Sequence, residues 1–162
     1  MTSLKRIGFC LVLAMASAVG ASSTSLGAAG GAPVAVVVSS KLSVDDISLG
    51  DLKRLYKGSP VMAGGKSLVP LTYPKSSRER QRFDEAVLGM SPDQVSLYWI
   101  DRKIRGQAGA PKAIDSEAVL VKVVSKVDGT IGFVGPGAVI PGVKVLRVDG
   151  KRPEEPGYPL RI

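Results

Sequence analysis

The stretch SLVPLTYPKSSRERQRF, residues 67–83, passes from an apolar run into a polar segment that carries helix-start signals. SLVPLTY predicts a short β-strand, and Pro70 places it near a sheet edge because proline cannot donate a ladder hydrogen bond. Ser76, followed three residues later by Glu79, predicts a capping box and therefore a helix that begins here. A strand that leads directly into a helix is typical of α/β folds.

Two interpretations fit this helix start. In the first, Ser76 only caps the helix, with Glu79 reaching back to its amide. In the second, the free N–H groups and the positive end of the helix dipole hold an oxyanion beside the hydroxyls of Ser76 and Ser77, and Arg78 or Arg80 adds a charge-assisted hydrogen bond. The chemistry alone favours capping, because capping is the commoner role of such serines.

The flanking sequence alternates between strand and helix patterns. VAVVVS (34–39) is a continuous β-branched run, which is typical of a strand buried on both faces. The other predicted strands cover 67–73, 130–134 and 143–150, and the predicted helices cover 48–58, 76–89, 91–106 and about 115–128. This alternation predicts an α/β fold, a three-layer sandwich around a mixed, mostly parallel sheet.

Apolar spacing assigns a buried face to each helix. In the second helix the expected buried residues are Phe83, Ala86, Val87 and Met90. Ser91, Pro92 and Gln94 form a strong start signal for the third helix, whose expected apolar contacts are Val95, Tyr98, Trp99 and Ile104. The tail RPEEPGYPLRI is rich in proline, so we expect it to be extended and to run over the surface.

The first residues differ in composition from the rest. MTSLKR supplies a positive start, IGFCLVLAMASAVG a short apolar core, and small residues near Ala18 and Ala21 offer cleavage points. This pattern predicts a signal peptide over 1–21, a flexible Ser/Gly/Ala-rich leader over 22–33 and one domain over 34–162. The apolar run is short for a membrane span, so we expect an exported protein, periplasmic or secreted.

The composition excludes several function classes. The formal charge of +8 falls to +6 without Lys5 and Arg6, since all 14 acidic residues lie later. That excess favours anionic partners, but the basic residues are dispersed and aromatics are few, so nucleic acid is not an expected partner. The chain has no histidine and its one cysteine, Cys10, lies in the predicted signal peptide. The scattered carboxylates suggest no acid–base pair, so we expect neither an enzyme nor a metal or cofactor.

The order of the segments resembles the second lobe of the phosphate-transporter substrate-binding proteins, in the periplasmic-binding-protein-like superfamily. The resemblance covers about residues 33–162. The matching segments are VAVVV, SLGDLKRLYKG, VPLTYPKSSRERQRF, DGTIGFV and VKVLRVDGKRPEEPGYPL. The family's helix "Leu-Ser-x-x-x-Leu-x-x-Ile-Tyr/Phe-x-Gly", its strand "Gly-Ala-Ile-Gly-Tyr-Val" and its "Tyr-Pro-Leu" tail have counterparts in this order. The resemblance implies a single lobe of a type II periplasmic-binding-protein-like fold.

The resemblance also implies a ligand. These proteins close two lobes on an oxyanion held by hydroxyls, backbone amides and an arginine, which places Ser76 and Ser77 on the ligand-facing turn here, whereas the family's upstream arginine is replaced by Tyr73 or Lys75. Where the family has a Gly-Thr step, this chain has Arg78–Glu79, and a carboxylate there repels phosphate. We also expect no first lobe before Val34, and a single lobe cannot enclose an ion.

These patterns leave three functional hypotheses. The first is an exported module that binds a phosphate-like anion and is linked to an ABC-type membrane transporter. The second is a protein-interaction module that has lost its ligand and docks on another envelope protein. The third is a homodimer that rebuilds a two-lobed cleft.

Overall fold

The computed structural model describes residues 31–107 and 109–162. The predicted signal peptide and nearly all of the predicted leader lie outside the described residues. In this part of the chain, short strands and four α-helices follow one another, and a π-helical turn extends the second helix. They are β1 (Ala35–Ser39), β2 (Asp46–Ile47), α1 (Leu49–Tyr56), β3 (Met62–Ala63), β4 (Lys66–Ser67), β5 (Val69–Thr72), α2 (Arg78–Phe83) with its π turn (Asp84–Leu88), α3 (Pro92–Ile104), β6 (Lys112–Ala113), α4 (Glu117–Lys126), β7 (Thr130–Val134), β8 (Val143–Val145) and β9 (Arg147–Val148).

A five-stranded sheet with the order β6-β5-β7-β1-β8 forms the centre of the fold. β5 is parallel to β6 and β7, whereas β1 is antiparallel to both β7 and β8. β6, β5, β7 and β8 therefore run in one direction and β1 alone runs in the other. This arrangement confirms the predicted mixed, mostly parallel sheet.

The predicted buried strand is confirmed as β1. All five of its residues are buried, and it lies between β7 and β8, with Val36 opposite Phe133 and Val37 opposite Val145. A β-branched run that is covered on both faces needs a helix layer on each side of the sheet.

Two adjacent residues of β7 show where these layers lie. A Cβ atom on Gly132 would come within 2.6 Å of the Leu120 side chain, so α4 approaches the sheet closely on that face. The Phe133 ring stacks on Phe83 at 3.8 Å and contacts Tyr56 at 6.1 Å. Successive side chains of a strand point to opposite faces, so α4 covers one face and α1 and α2 cover the other. The predicted three-layer sandwich is confirmed.

Each of the four α-helices described above has a serine as its N-cap. Ser48, Ser77, Ser91 and Ser116 each accept a hydrogen bond from the backbone N–H three residues later. Ser91 and Gln94 form the predicted capping box. The predicted box of Ser76 and Glu79 is wrong, because the Ser77 N–H donates to the Pro74 carbonyl at 3.0 Å and this turn delays the helix by one residue.

The buried face of α2 also differs from the prediction. Phe83 and Val87 are buried as expected, and Met90 packs partly against the core. Ala86 is exposed, because the π turn holds more residues than an α-helical turn and rotates Leu88 into the core.

The third helix corrects one further assignment. Val95 and Trp99 are buried and Tyr98 packs partly against the core, whereas Ile104 is 81% exposed. Ile104 lies at the last position of α3, beyond the surface that Val95 and Trp99 cover.

The tail contains no helix, but it folds through turns over residues 153–157 and then packs into the core, so it does not run extended over the surface as predicted. Tyr158 and Leu160 are buried, and the Tyr158 hydroxyl donates to the Val34 carbonyl at 2.7 Å. The Val34 N–H in turn donates to the Leu160 carbonyl at 3.0 Å. The prolines exclude a helix, yet the tail still pairs with the segment that precedes β1.

Leu160→Ala tests this role of the tail. Because the side chain is fully buried, the substitution should lower the free energy of unfolding by about 3 kcal/mol. Chemical denaturation measures the change, and Leu97→Ala, at a site that is 66% exposed, is the control with an expected loss below about 0.5 kcal/mol. Equal effects of the two substitutions would show that the tail does not belong to the core.

Candidate functional site

A pocket of about 760 Å³ opens at the carboxyl ends of the parallel strands. Tyr73 and Pro74 follow β5 into its wall, and Gly135 and Pro136 do the same after β7. In open α/β sheets, ligands bind in the crevice outside this edge. The pocket therefore lies where the fold favours a binding site.

Two helices begin at this pocket. Ser76 and Ser77 line it at the start of α2, and Ser116 and Glu117 line it at the start of α4. The cap serines satisfy one N–H group in each helix, with Ser77 accepting from Arg80 at 3.2 Å. A helix start carries four N–H groups without an intrahelical acceptor, so donors and two positive dipole ends remain at the pocket.

The Ser76 hydroxyl, unlike that of Ser77, does not cap the helix. The Ser76 side chain is exposed, and its hydroxyl makes no hydrogen bond to any residue that the structure describes. Of the two predicted hydroxyls, Ser76 is the free one and Ser77 is the helix cap.

The pocket carries charges of both signs. Arg78 and Arg82 are exposed on its wall, and neither forms an ion pair within residues 31–107 and 109–162. Glu79, Asp115 and Glu117 also line it, and Glu117 accepts a hydrogen bond from the Gly135 N–H. The arginines attract an anion, and the carboxylates oppose it.

Arg80 is not part of this surface. Its Nε donates to Asp84 at 3.1 Å and its Nη1 donates to the Tyr73 carbonyl at 3.0 Å, and the Arg80 and Asp84 side chains are only 6% and 8% exposed. Burial raises the pKa of Asp84, and the neighbouring Arg80 cation opposes that shift. Of the two arginines offered as alternatives by the sequence, Arg78 therefore faces the pocket, and Arg80 fixes the end of β5 to α2.

An aromatic cluster forms the inner wall. Tyr73 and Phe133 line the pocket with their rings edge to face at 5.1 Å, and the Tyr73 hydroxyl donates to the Phe133 carbonyl at 2.9 Å. Burial raises the pKa of Tyr73, so the phenol stays neutral and keeps this hydrogen bond. The wall is thus apolar and held in place by the strands.

Sequence reasoning did not assign Arg82 or the start of α4 to the site. Arg82 lies four residues after Arg78, a spacing that places both on one side of a helix. The sequence predicts the helix over about 115–128, but β6, the strand before it, is too short to be predicted, so nothing in the sequence placed this helix start at the sheet edge.

No protein-family model matches this sequence, and no curated protein matches it. Solved structures do match the fold. An ABC-type phosphate transport receptor from Vibrio cholerae superposes with a TM-score of 0.59 at 19% identity, covering 75% of this chain and 48% of the receptor. A Clostridium perfringens structure with bound phosphate, described as a phosphate ABC transporter substrate-binding protein, gives 0.59 at 18% identity over 74% of this chain and 46% of that one.

PstS from Borrelia burgdorferi gives a TM-score of 0.58 at 12% identity and covers 80% of this chain and 54% of PstS. At this level of identity the match establishes the fold. The chain spans about half the length of the proteins it resembles, and the single-lobe periplasmic-binding-protein-like fold predicted from its sequence is confirmed. Among the described residues, no helix is long and apolar enough to cross a membrane.

The buried ion pair between Arg80 and Asp84 gives a prediction about stability. Asp84→Asn leaves the buried Arg80 cation without its counter-charge, so the free energy of unfolding should fall by about 3 kcal/mol. The double variant Arg80→Met/Asp84→Leu, which removes both charges, should be more stable than Asp84→Asn. Denaturant titration measures both.

Asp101→Asn is the matched control. Asp101 pairs with Arg105 at the same i,i+4 spacing, but both side chains are exposed, so the loss should stay below about 0.5 kcal/mol. A similar small loss for Asp84→Asn would contradict a structural role for the buried pair.

Proposed function

We propose that this chain is an exported, non-enzymatic binding module that holds a phosphate-like oxyanion in the pocket and is linked to ABC-type transport. The observation that carries the proposal is the meeting of two helix starts and two arginines, Arg78 and Arg82, in one pocket at the carboxyl edge of the sheet, where neither arginine has an ion-pair partner among the described residues. The phosphate receptors that share the fold support the choice of ligand.

Each group has a separate part in this proposal. Ser76 donates its free hydroxyl, and the α2 start near Ser77 supplies backbone N–H donors. Arg78 and Arg82 supply positive charge through guanidinium groups that match oxyanion geometry. Arg80 acts indirectly, since its hydrogen bond to the Tyr73 carbonyl fixes the turn that presents the serines.

Binding by this chain alone should be weak. The pocket is open, so solvent screens the arginines, and Glu79 repels the anion. Ala32 and Ile162 line the pocket side by side, with the Ile162 N–H donating to the Ala32 carbonyl at 3.0 Å. A companion lobe that approaches this side, from another chain or a second copy, would cover the pocket.

A second candidate function is a protein-interaction module that docks on an envelope protein through the same pocket. The specific observation in its favour is the set of three carboxylates, Glu79, Asp115 and Glu117, beside the two arginines. A mixed set of this kind suits the side chains of a protein partner better than a small anion.

Isothermal titration with phosphate and with sulfate tests the first proposal. Arg78→Gln should weaken phosphate binding about fivefold or more, because a charge-assisted hydrogen bond is lost at a partly screened site. Ser76→Ala should weaken it less, and Glu79→Gln should strengthen it by removing repulsion. Arg147→Gln, an exposed arginine outside the pocket, controls for net charge.

The outcomes separate the two candidates. Absence of heat above dilution at millimolar phosphate and sulfate removes direct anion binding by this chain. An equal effect of Arg78→Gln and Arg147→Gln would mean that the arginines act only through net charge. If anion binding is absent and Arg78→Gln abolishes capture of a protein from the cell envelope, the interaction module is supported.

A further inference from the structure

Helix α3 carries apolar side chains on two opposite faces. Val95 and Trp99 pack into the core, whereas Leu97, Ile100 and Ile104 are 66%, 54% and 81% exposed. These three residues, the α3 stripe, recur at i, i+3 and i+7 and therefore share one face. A surface helix normally has one apolar face, so a second apolar stripe indicates a contact that this chain does not make with itself.

The net charge around the α3 stripe is negative at the start of the helix and positive at its end, where Arg102, Lys103 and Arg105 outnumber Asp101. Asp93 lies on the same face, four residues before Leu97, in the first turn. At the other end, Lys103 and Arg105 flank Ile104, and Arg105 is paired there with Asp101 at 3.0 Å, so Lys103 is the cation that a partner can meet. Two such helices laid antiparallel bring the acidic end of each against the basic end of the other.

We propose that a second copy of this chain docks on the α3 stripe, with the two α3 helices antiparallel across a twofold axis. The axis passes between positions 97 and 100, so Leu97 of each copy packs on Ile100 of the other. Asp93 and Ile104 are separated by eleven residues, about 16 Å along the helix, so each Asp93 meets the other copy's last turn. The same surface serves both copies, as a twofold interface requires.

The size of the stripe sets the strength of this dimer. Three exposed apolar side chains offer a few hundred Å² per copy, well below the roughly 800 Å² per partner of a stable interface. The dimer is therefore weak and depends on concentration, and the end charges fix its orientation more than they strengthen it.

The α3 dimer is independent of the proposed anion site. A small cavity beside the α3 N-terminus is lined by Lys75 and Asp93, so this end of α3 lies next to the turn that leads into α2. The other end lies near the α1 C-terminus, since the Arg102 Nη2 donates to the Gly58 carbonyl at 3.4 Å. Antiparallel helices hold the two pockets at opposite ends, so dimer formation leaves both open and does not build a shared cleft.

Sedimentation equilibrium measures the dimer. The full chain is expressed with a C-terminal tag, so that its N-terminus is open to any processing by the cell. Between about 10 μM and 1 mM the mean mass should rise from one chain toward two, as expected for a weak complex. Ile104→Glu should weaken association at least about tenfold, since it removes apolar surface from the contact and places a carboxylate beside the other copy's Asp93. Met62→Glu, at an apolar residue on the β3–β4 hairpin that is 64% exposed, should leave association unchanged.

A charge exchange tests the antiparallel orientation. Asp93→Lys and Lys103→Glu should each weaken self-association, because each homodimer then holds two pairs of like charges. An equimolar mixture should restore association to within about twofold, because both opposite-charge pairs re-form in the mixed dimer. Both sites are exposed, and a thermal melt monitored by circular dichroism confirms that the variants fold.

Three results would overturn the proposal. The first is a single-chain mass at every concentration, whatever the reason that the stripe does not pair with a second copy. The second is a dimer that Ile104→Glu and Met62→Glu affect equally. The third is a mixture of charge variants that associates no better than either variant alone.

Discussion

The stacking of Phe83 on Phe133 holds the functional end of the molecule together. Phe133 belongs to β7, the central strand of the sheet, and Phe83 ends α2, so the 3.8 Å contact fixes that helix on the sheet. Six residues upstream of Phe83, Ser77 then lies at the carboxyl edge, beside the ends of β5 and β7. On the opposite face of β7, Gly132 lets α4 approach so closely that its start reaches the same edge. Rigid packing on both faces of one strand thus creates the pocket.

The features that the sequence predicts well are those encoded locally. The Ser91–Gln94 box and the β-branched run of β1 need no distant partner to be recognised, and both are present as expected. The cap of α2 differs by one residue because two adjacent serines compete and a turn from Pro74 decides between them. The tail differs because its pairing with Val34 joins residues far apart in sequence, which prolines alone do not indicate.

The residues of the site show the same difference between features that are encoded locally and features that depend on distant contacts. The sequence offers Arg78 and Arg80 as alternatives, yet Arg80 precedes Phe83, Asp84 and Val87 at helical spacing, which places it on the buried face. The sequence shows this periodicity, but it conflicts with the rule that a charged residue lies on the surface. A buried arginine is uncommon without a partner. The partner is Asp84, brought inside by the π turn, a feature that helical spacing does not predict. The contribution of the α4 start depends on sheet order, which only the structure gives.

Openness of the pocket and its mixed charges are physically connected. In water, two unit charges 4 Å apart interact by only about 1 kcal/mol, against about 4 kcal/mol at the lower dielectric near a protein surface. An open pocket therefore tolerates Glu79 and Asp115 close to an anion, because solvent weakens their repulsion along with the attraction of Arg78. Closure by a companion would strengthen both effects. If the pocket holds an anion, a companion surface must therefore contribute more positive charge or backbone donors than carboxylates. Otherwise the anion would lose more free energy by leaving water than it gains from the closed site.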